Sequence, residues 1–204
     1  DDVVHHEGWH EFLSMGVRHG LHAPASAARA AAFLLHGQIE AATLCPLTMT
    51  SAAQIILRRE TWFGELQAAL SGREHDASDR PVAYKRGMLV GMGLTEKQGG
   101  SDLRGTTTVA VRAAADEGWY RIVGHKWFLS VPMADAHLVL ALLDGAPTCF
   151  YVPRWAPDGH RNSVRFMQLK NKLGNRANAS AEVEFQDAWG RLVGEPGRGI
   201  ATLV

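Results

Sequence analysis

Cysteine is scarce: the 204 residues hold two, Cys45 and Cys149, and no CxxC pair. That excludes a disulfide framework and a thiolate zinc site, and it points to a reducing compartment, the cytoplasm. Long apolar runs are missing too. The longest strongly apolar stretches, residues 30–35 and 138–143, fall far short of the roughly 20 residues that span a bilayer, so no membrane partner is expected. Net charge is zero, with 21 Lys and Arg against 21 Asp and Glu, which argues against a strongly basic nucleic-acid binder. The opening Asp1-Asp2-Val3-Val4 has neither the basic region nor the apolar region of a signal peptide, and no initial Met. The closing residues 197–204 begin like a helix and stop. Both ends read as cuts, as in an internal piece of a longer protein.

Lysine is absent from the first 80 residues, where 6 Arg face 10 acidic residues, while residues 81–204 carry 15 basic against 11 acidic. The zero is therefore −4 cancelled by +4, and the sign changes at a candidate domain boundary. A chain of this length allows one large domain or two small ones. With 46% hydrophobic and 21% charged residues, a sizeable core is available.

The texture of the chain changes at the same place. Residues 1–80 read as helical. Pro24 and Ser26 signal a start with Ser26 as N-cap, and 27–44 carry apolar residues near helical spacing. Pro46 ends that helix or opens a turn. Residues 50–57 and 61–70 read as two more short helices, and 72–81 as a polar linker. Beyond 81, β-rich runs alternate with turn signals at 87–94, 106–113, 120–123, 137–142, 148–152, 164–169 and 181–185. That spacing suits an antiparallel barrel or sandwich. The expected class is α+β: a helical domain over 1–80, a β-barrel-like middle domain over 81–196, and the start of a further helical domain over 197–204.

Five stretches carry chemical signals. His6-Glu7-Gly8-Trp9-His10 matches HExxH, the helical zinc-peptidase pattern, but Gly8 weakens the helix and no third ligand is evident, so no metal site is expected. Gly91-Met92-Gly93 lacks the third glycine of a dinucleotide fingerprint, because Glu96 stands there, and no βαβ unit follows. Leu94-Thr95-Glu96-Lys97-Gln98-Gly99-Gly100-Ser101-Asp102 places hydroxyls beside two glycines after an apolar strand. It is a phosphate-binding turn or a tight exposed loop. Gly124-His125-Lys126-Trp127-Phe128-Leu129-Ser130 can offer one ring to stack and one donor, or simply pack into a core. The loop from Lys172 through Gly174, Asn175 and Arg176 leads into an alternating strand that ends at Phe185. With Lys170, Arg161 and Arg165 it forms a basic patch that either meets phosphates or is a solvated face.

Taken together and in this order, these last three segments resemble the acyl-CoA dehydrogenase family: its LTE turn closing on Gly-Ser-Asp, its Gly-x-Lys-x-aromatic-x-Thr/Ser strand, and its Lys-x-Gly-x-Arg loop before a Phe-containing strand. Leu192-Val193-Gly194-Glu195-Pro196-Gly197-Arg198-Gly199 resembles the family's turn into its C-terminal helices. The resemblance covers about residues 30–204. Lys97-Gln98-Gly99, the Trp127-Phe128 pair and the run Leu44 to Thr50 are similar to the AidB-like alkylation-response branch.

The resemblance implies a helical domain, a middle β domain and a C-terminal four-helix bundle, in a homotetramer with one FAD per subunit. It implies that Met92, Leu94, Thr95, Gly100 and Ser101 line the flavin, with Thr95 bonding the ring and Ser101 the pyrophosphate, and that Phe128, Leu129 and Ser130 flank the ring, Ser130 near N5. It further implies an acyl-CoA substrate and a glutamate base in the bundle beyond residue 204, so no residue here is expected to be catalytic. The branch is also linked to duplex DNA, assigned to that same region. This leaves a DNA-associated role in alkylation defence as the rival function. A zinc peptidase through His6, Glu7 and His10, or an assembly domain with a vestigial flavin loop, are the remaining alternatives.

Overall fold

The computed structural model describes residues 2–113 and 118–204. Helices α1 (Glu7–Arg18), α2 (Ala27–Ile39), α3 (Leu44–Leu57) and α4 (Gly64–Leu70) come first. They are followed by seven strands, β1 (Val90–Gly93), β2 (Val109–Arg112), β3 (Trp119–Ser130), β4 (Ala136–Leu143), β5 (Ala146–Pro153), β6 (Val164–Leu169) and β7 (Ser180–Val193), and a short helix α5 (Gly199–Leu203). No helix among the described residues is long and apolar enough to cross a membrane.

Local chemistry sets the helix ends. Ser26 caps α2 as expected, its Oγ accepting the Arg29 N–H at 3.1 Å. The expected single helix over 27–44 is instead broken. Glu40 leaves the helical conformation and its carboxylate accepts the N–H groups of Ala42 at 2.7 Å and Thr43 at 2.8 Å. A new helix then starts at Leu44. Pro46 begins this element rather than ending the last one, because a first-turn residue needs no N–H for the helical ladder. At α1, His6 is the cap: its Nδ1 accepts the Gly8 N–H at 3.1 Å.

The strands form one mixed sheet, in which β1 runs parallel to β4 and most other pairs are antiparallel. Hydrogen-bonded neighbours follow the path β3–β7–β5–β4–β1–β3, with β2 between β3 and β4 and β6 on the outer side of β7. The turn between β4 and β5 is Asp144-Gly145, both at positive φ (50° and 80°). This is the two-residue hairpin geometry that an Asp-Gly pair favours.

β4 explains its own apolar run, because it is buried on both faces. Ala136 and Leu138 join Leu57, Trp62, Leu66 and Leu70 of the helical segment in one core cluster. Val139 and Ala141 join Ile122, Phe150, Val183 and Phe185 in a second. The helices and the sheet thus share a hydrophobic interior. That interior fixes β1, and hence the loop after it, against β3.

Candidate functional site

The arrangement begins with an irregularity in β3. Lys126 pairs with Val183 and Leu129 with Ala181, so three steps along β3 match two along β7. A strand alternates faces, and residues 126 and 129 would normally point opposite ways. The extra residue of the bulge lets both be fully buried, while Trp127 and Phe128 both lie outside that interior, Phe128 at 39% exposure.

Lys126 meets a carboxylate inside the protein. Its Nζ donates to Glu96 Oε1 at 2.6 Å, with both side chains buried. The same carboxylate accepts the Thr107 N–H at 2.8 Å and hydroxyl at 2.7 Å, and the Thr108 N–H at 3.1 Å and hydroxyl at 2.7 Å. Burial by itself would raise the Glu96 pKa. The bonds from Lys126, Thr108 and Thr107 outweigh it and bring the group down to about 2. Glu96 therefore stays ionised and fully bonded. It ties the loop after β1 to residues 106–108 and to β3, and the Trp127 N–H adds a bond to the Thr95 carbonyl at 2.8 Å.

Around this latch sit the residues singled out from sequence. Met92 faces Ser130 across the β1–β3 pairing. Gly100 lies against Thr95: a Cβ there would fall 2.8 Å from Thr95 Oγ1. Leu94 and Thr95 are half-buried, and Gly100 and Ser101 are exposed. Leu129 differs from the rest, since its side chain is in the core against Gly93, leaving only its main chain to face a ligand. Among the described residues, the hydroxyls of Thr95, Ser101 and Ser130 have no protein hydrogen-bond partner.

The basic patch does not form as one surface. Lys170 bonds Glu182 at 2.7 Å and lies 3.2 Å from the Trp127 ring centroid and 4.6 Å from that of Phe128. Lys172 donates to the Asn178 carbonyl, Arg176 to the Lys172 carbonyl, and Arg161 pairs with Asp79 and Asp2. HExxH also fails as a unit. His6 lies outside the helix as its cap, whereas His10 faces His75. Sequence reasoning missed Glu96 and Lys126 as partners. The available signal was a lysine on the same alternate positions of the strand as Tyr120 and Ile122, which are buried.

Known proteins share the sequence and the fold that carry these residues. Residues 1–77 match the adaptive response protein AidB N-terminal domain, and residues 91–188 match the acyl-CoA dehydrogenase middle domain. The AidB protein of Escherichia coli (strain K12) is 48% identical over 215 residues, covering 100% of this chain and 39% of that protein. Caenorhabditis elegans ACDH-11, solved in complex with C11-CoA, superposes with a TM-score of 0.81 at 25% identity, over 100% of this chain and 37% of that one. A Bacillus anthracis acyl-CoA dehydrogenase complexed with FAD gives 0.72 at 21% identity, over 96% and 33%. The mixed α+β fold is that of the acyl-CoA dehydrogenases. The chain belongs to the acyl-CoA dehydrogenase family, in its AidB-like branch, and it spans less than half the length of these relatives.

Proposed function

We propose that this chain carries the middle-domain half of an FAD site in an acyl-CoA dehydrogenase-like flavoprotein, an oxidoreductase acting on CH–CH groups of acyl-CoA substrates. The proposal includes a closed, barrel-like β domain over 81–196, a helical domain over 1–80, and further helices from 197 on, in a cytoplasmic homotetramer. The observation that carries it is the set of three hydroxyls, Thr95 and Ser101 on the loop after β1 and Ser130 at the end of β3, free of protein partners, on the two segments that the Trp127 N–H ties together. Solvent-reachable hydroxyls that bond nothing in the protein are available to donate to a ligand.

FAD, when bound, supplies the hydride-accepting ring, and its electronics are tuned by the hydrogen bonds around it. Thr95 and Ser130 donate to that ring and Ser101 to the pyrophosphate, while Gly100 leaves room beside Thr95. Phe128 offers a face for stacking, and Lys170 holds positive charge over the paired aromatics. Removing the substrate's α-proton needs a carboxylate base. Glu96 is buried and committed to five hydrogen bonds within the protein, so it does not face the site. The base then comes from another segment, and the isolated chain turns over no acyl-CoA.

The rival reading, DNA association in alkylation defence, finds no continuous basic surface here, because Lys170 and Arg161 are paired with acidic residues. The test is direct. A protein carrying this chain together with its C-terminal helices is expected to purify yellow, and Thr95→Ala with Ser130→Ala to bleach it. A colourless protein that takes up no FAD on reconstitution overturns the assignment.

A further inference from the structure

Away from the proposed flavin edge, three histidines meet where the N-terminal segment, α1 and the segment after α4 come together. His10 Nδ1 lies 3.2 Å from His75 Nε2, so one ring donates its N–H to the other, and the ring centroids stand 5.5 Å apart. His5 stacks on Trp9 at 3.8 Å and meets the His10 ring edge-on at 6.0 Å. Its Nε2 is buried without a protein partner. The charged groups nearby are committed to one another. Lys85 pairs with Asp135 at 2.5 Å, Arg80 with Asp76 at 3.0 Å and Arg86 with Glu74 at 3.2 Å. Arg154 pairs with Asp79 at 3.0 Å and Asp2 at 2.7 Å, and Arg161 joins both carboxylates. Glu11, Arg18 and His19 border the open groove on the other side of the pair. Among the described residues, no carboxylate bonds any of the three rings.

We propose that the cluster of His5, His10 and His75 is an acid-sensitive clasp, which holds the N-terminal segment and α1 on the 72–81 segment while its rings are neutral and releases them when the pair takes a second proton. One added proton is tolerated, because a protonated ring still donates to its neutral neighbour. A second leaves hydrogen on both facing nitrogens, so no acceptor remains and two like charges confront each other. No carboxylate is free to relieve them. Burial, the His10 ring and Lys85 together outweigh Asp76 and hold His75 down at about 4. Burial and the His10 ring also lower His5. In an opened segment these rings take protons near 6.5. The clasp is therefore fully effective above pH 6.5 and weakens as pH falls from 6.5 toward 4.

The packing lets this corner open by itself. Trp9, Leu13 and Val17 of α1 belong to a cluster with Leu47, Leu89 and Val131, separate from the two clusters that hold β4 and the centre of the sheet. Such a unit can open below the free energy of global unfolding. The release also reaches the chain that enters β1, because the Glu74 carbonyl lies directly against Gly87, where a Cβ would fall 2.0 Å from it. Of the HExxH pattern, only His10 takes part.

The test is amide hydrogen exchange of the protein at about pH 7.5 and about pH 5, resolved by peptide with mass spectrometry and corrected for the intrinsic rate. Protection within 7–18 and 72–81 is expected to fall about thirtyfold, the ratio that His75 values of about 4 closed and 6.5 open give. His75→Gln keeps an amide facing His10 but cannot titrate, and should remove most of that fall. His137→Gln, in the sheet, should leave it in place. Should His75→Gln fold poorly, deuterium exchange at the His75 ring carbon Cε1 of the unaltered protein gives its titration directly, expected well below 6.5. A fall of less than about threefold in both segments, a fall that persists in full in His75→Gln or disappears in His137→Gln, or a His75 ring that titrates at 6.5 or above overturns the proposal.

Discussion

The two sides of β3 make opposite use of polar groups. On the inner side, Glu96 and Lys126 are buried and every carboxylate bond is made within the protein. On the outer side, a few residues away, the hydroxyls of Ser130, Thr95 and Ser101 have no protein partner. One bulge in the strand produces both, since it turns Lys126 and Leu129 inward and leaves the aromatic pair outside. The latch sets the geometry of the loop, and the proposed function takes the open edge as the one that meets the flavin.

The largest test of that division is to break the latch. Glu96→Ala leaves the Lys126 ammonium buried without its counter-charge and frees Thr107 and Thr108. Removing one partner of a buried pair destabilises by about 3–5 kcal/mol, and that loss should appear in urea unfolding of the chain. A loss below about 1 kcal/mol would mean that Lys126 escapes to water and that the latch does not set the loop.

Acid provides a second measure, because two buried groups titrate in different windows. His137 is buried and its Nε2 lies 2.9 Å from the Val131 carbonyl. Burial holds its pKa down at about 4, against an ordinary value of 6.5. Between those pH values the unfolded chain binds a proton that the folded chain refuses, so stability falls as pH drops from 6.5 toward 4, by about 3 kcal/mol in all. Glu96, with a folded value of about 2, contributes stability present above 4.5 and lost as pH falls toward 2. Unfolding measured against pH should show both limbs, with His137→Gln flattening the upper one and Glu96→Gln the lower.

Gly124 ranks next. Its φ is +151°, and a Cβ would lie 2.6 Å from the Thr108 Cα, a backbone atom that cannot move without disturbing the bond from Thr108 to the His125 carbonyl at 3.1 Å. Gly124→Ala combines backbone strain with overpacking, each worth about 1–3 kcal/mol. Its melting temperature should fall clearly below that of Gly118→Ala, where φ is also positive but the space is open.

That glycine also shows where sequence reading stops. The seven strand positions were legible from alternation and turn residues, as was the Ser26 cap. Gly124, however, separates the run at 120–123 from the aromatic segment in the sequence, and the structure runs one strand straight through it. β7 was legible only over 181–185, and the structure extends it to Val193. Asp187, at φ 62°, is accommodated as a bulge opposite Ile122 and Val123, and the strand continues to Val193. The hydroxyls of the candidate site were legible through family resemblance. The Glu96–Lys126 pair was not, since its members stand 30 residues apart and only the folded register brings them together.

The smallest expected effect on stability is the most informative about function. Thr95→Ala and Ser130→Ala delete hydroxyls that bond nothing in the protein, so each should shift unfolding by no more than about 0.5 kcal/mol, as for ordinary surface changes. If those groups serve FAD, flavin retention should weaken by about 5–30-fold per hydroxyl, which corresponds to about 1–2 kcal/mol. Glu96→Ala should show the reverse ratio, a large loss of stability with flavin loss following only from disorder of the loop. Should Ser130→Ala destabilise the chain as much as it weakens flavin binding, the outer edge would be part of the folding core and the division between the two sides of β3 would fail.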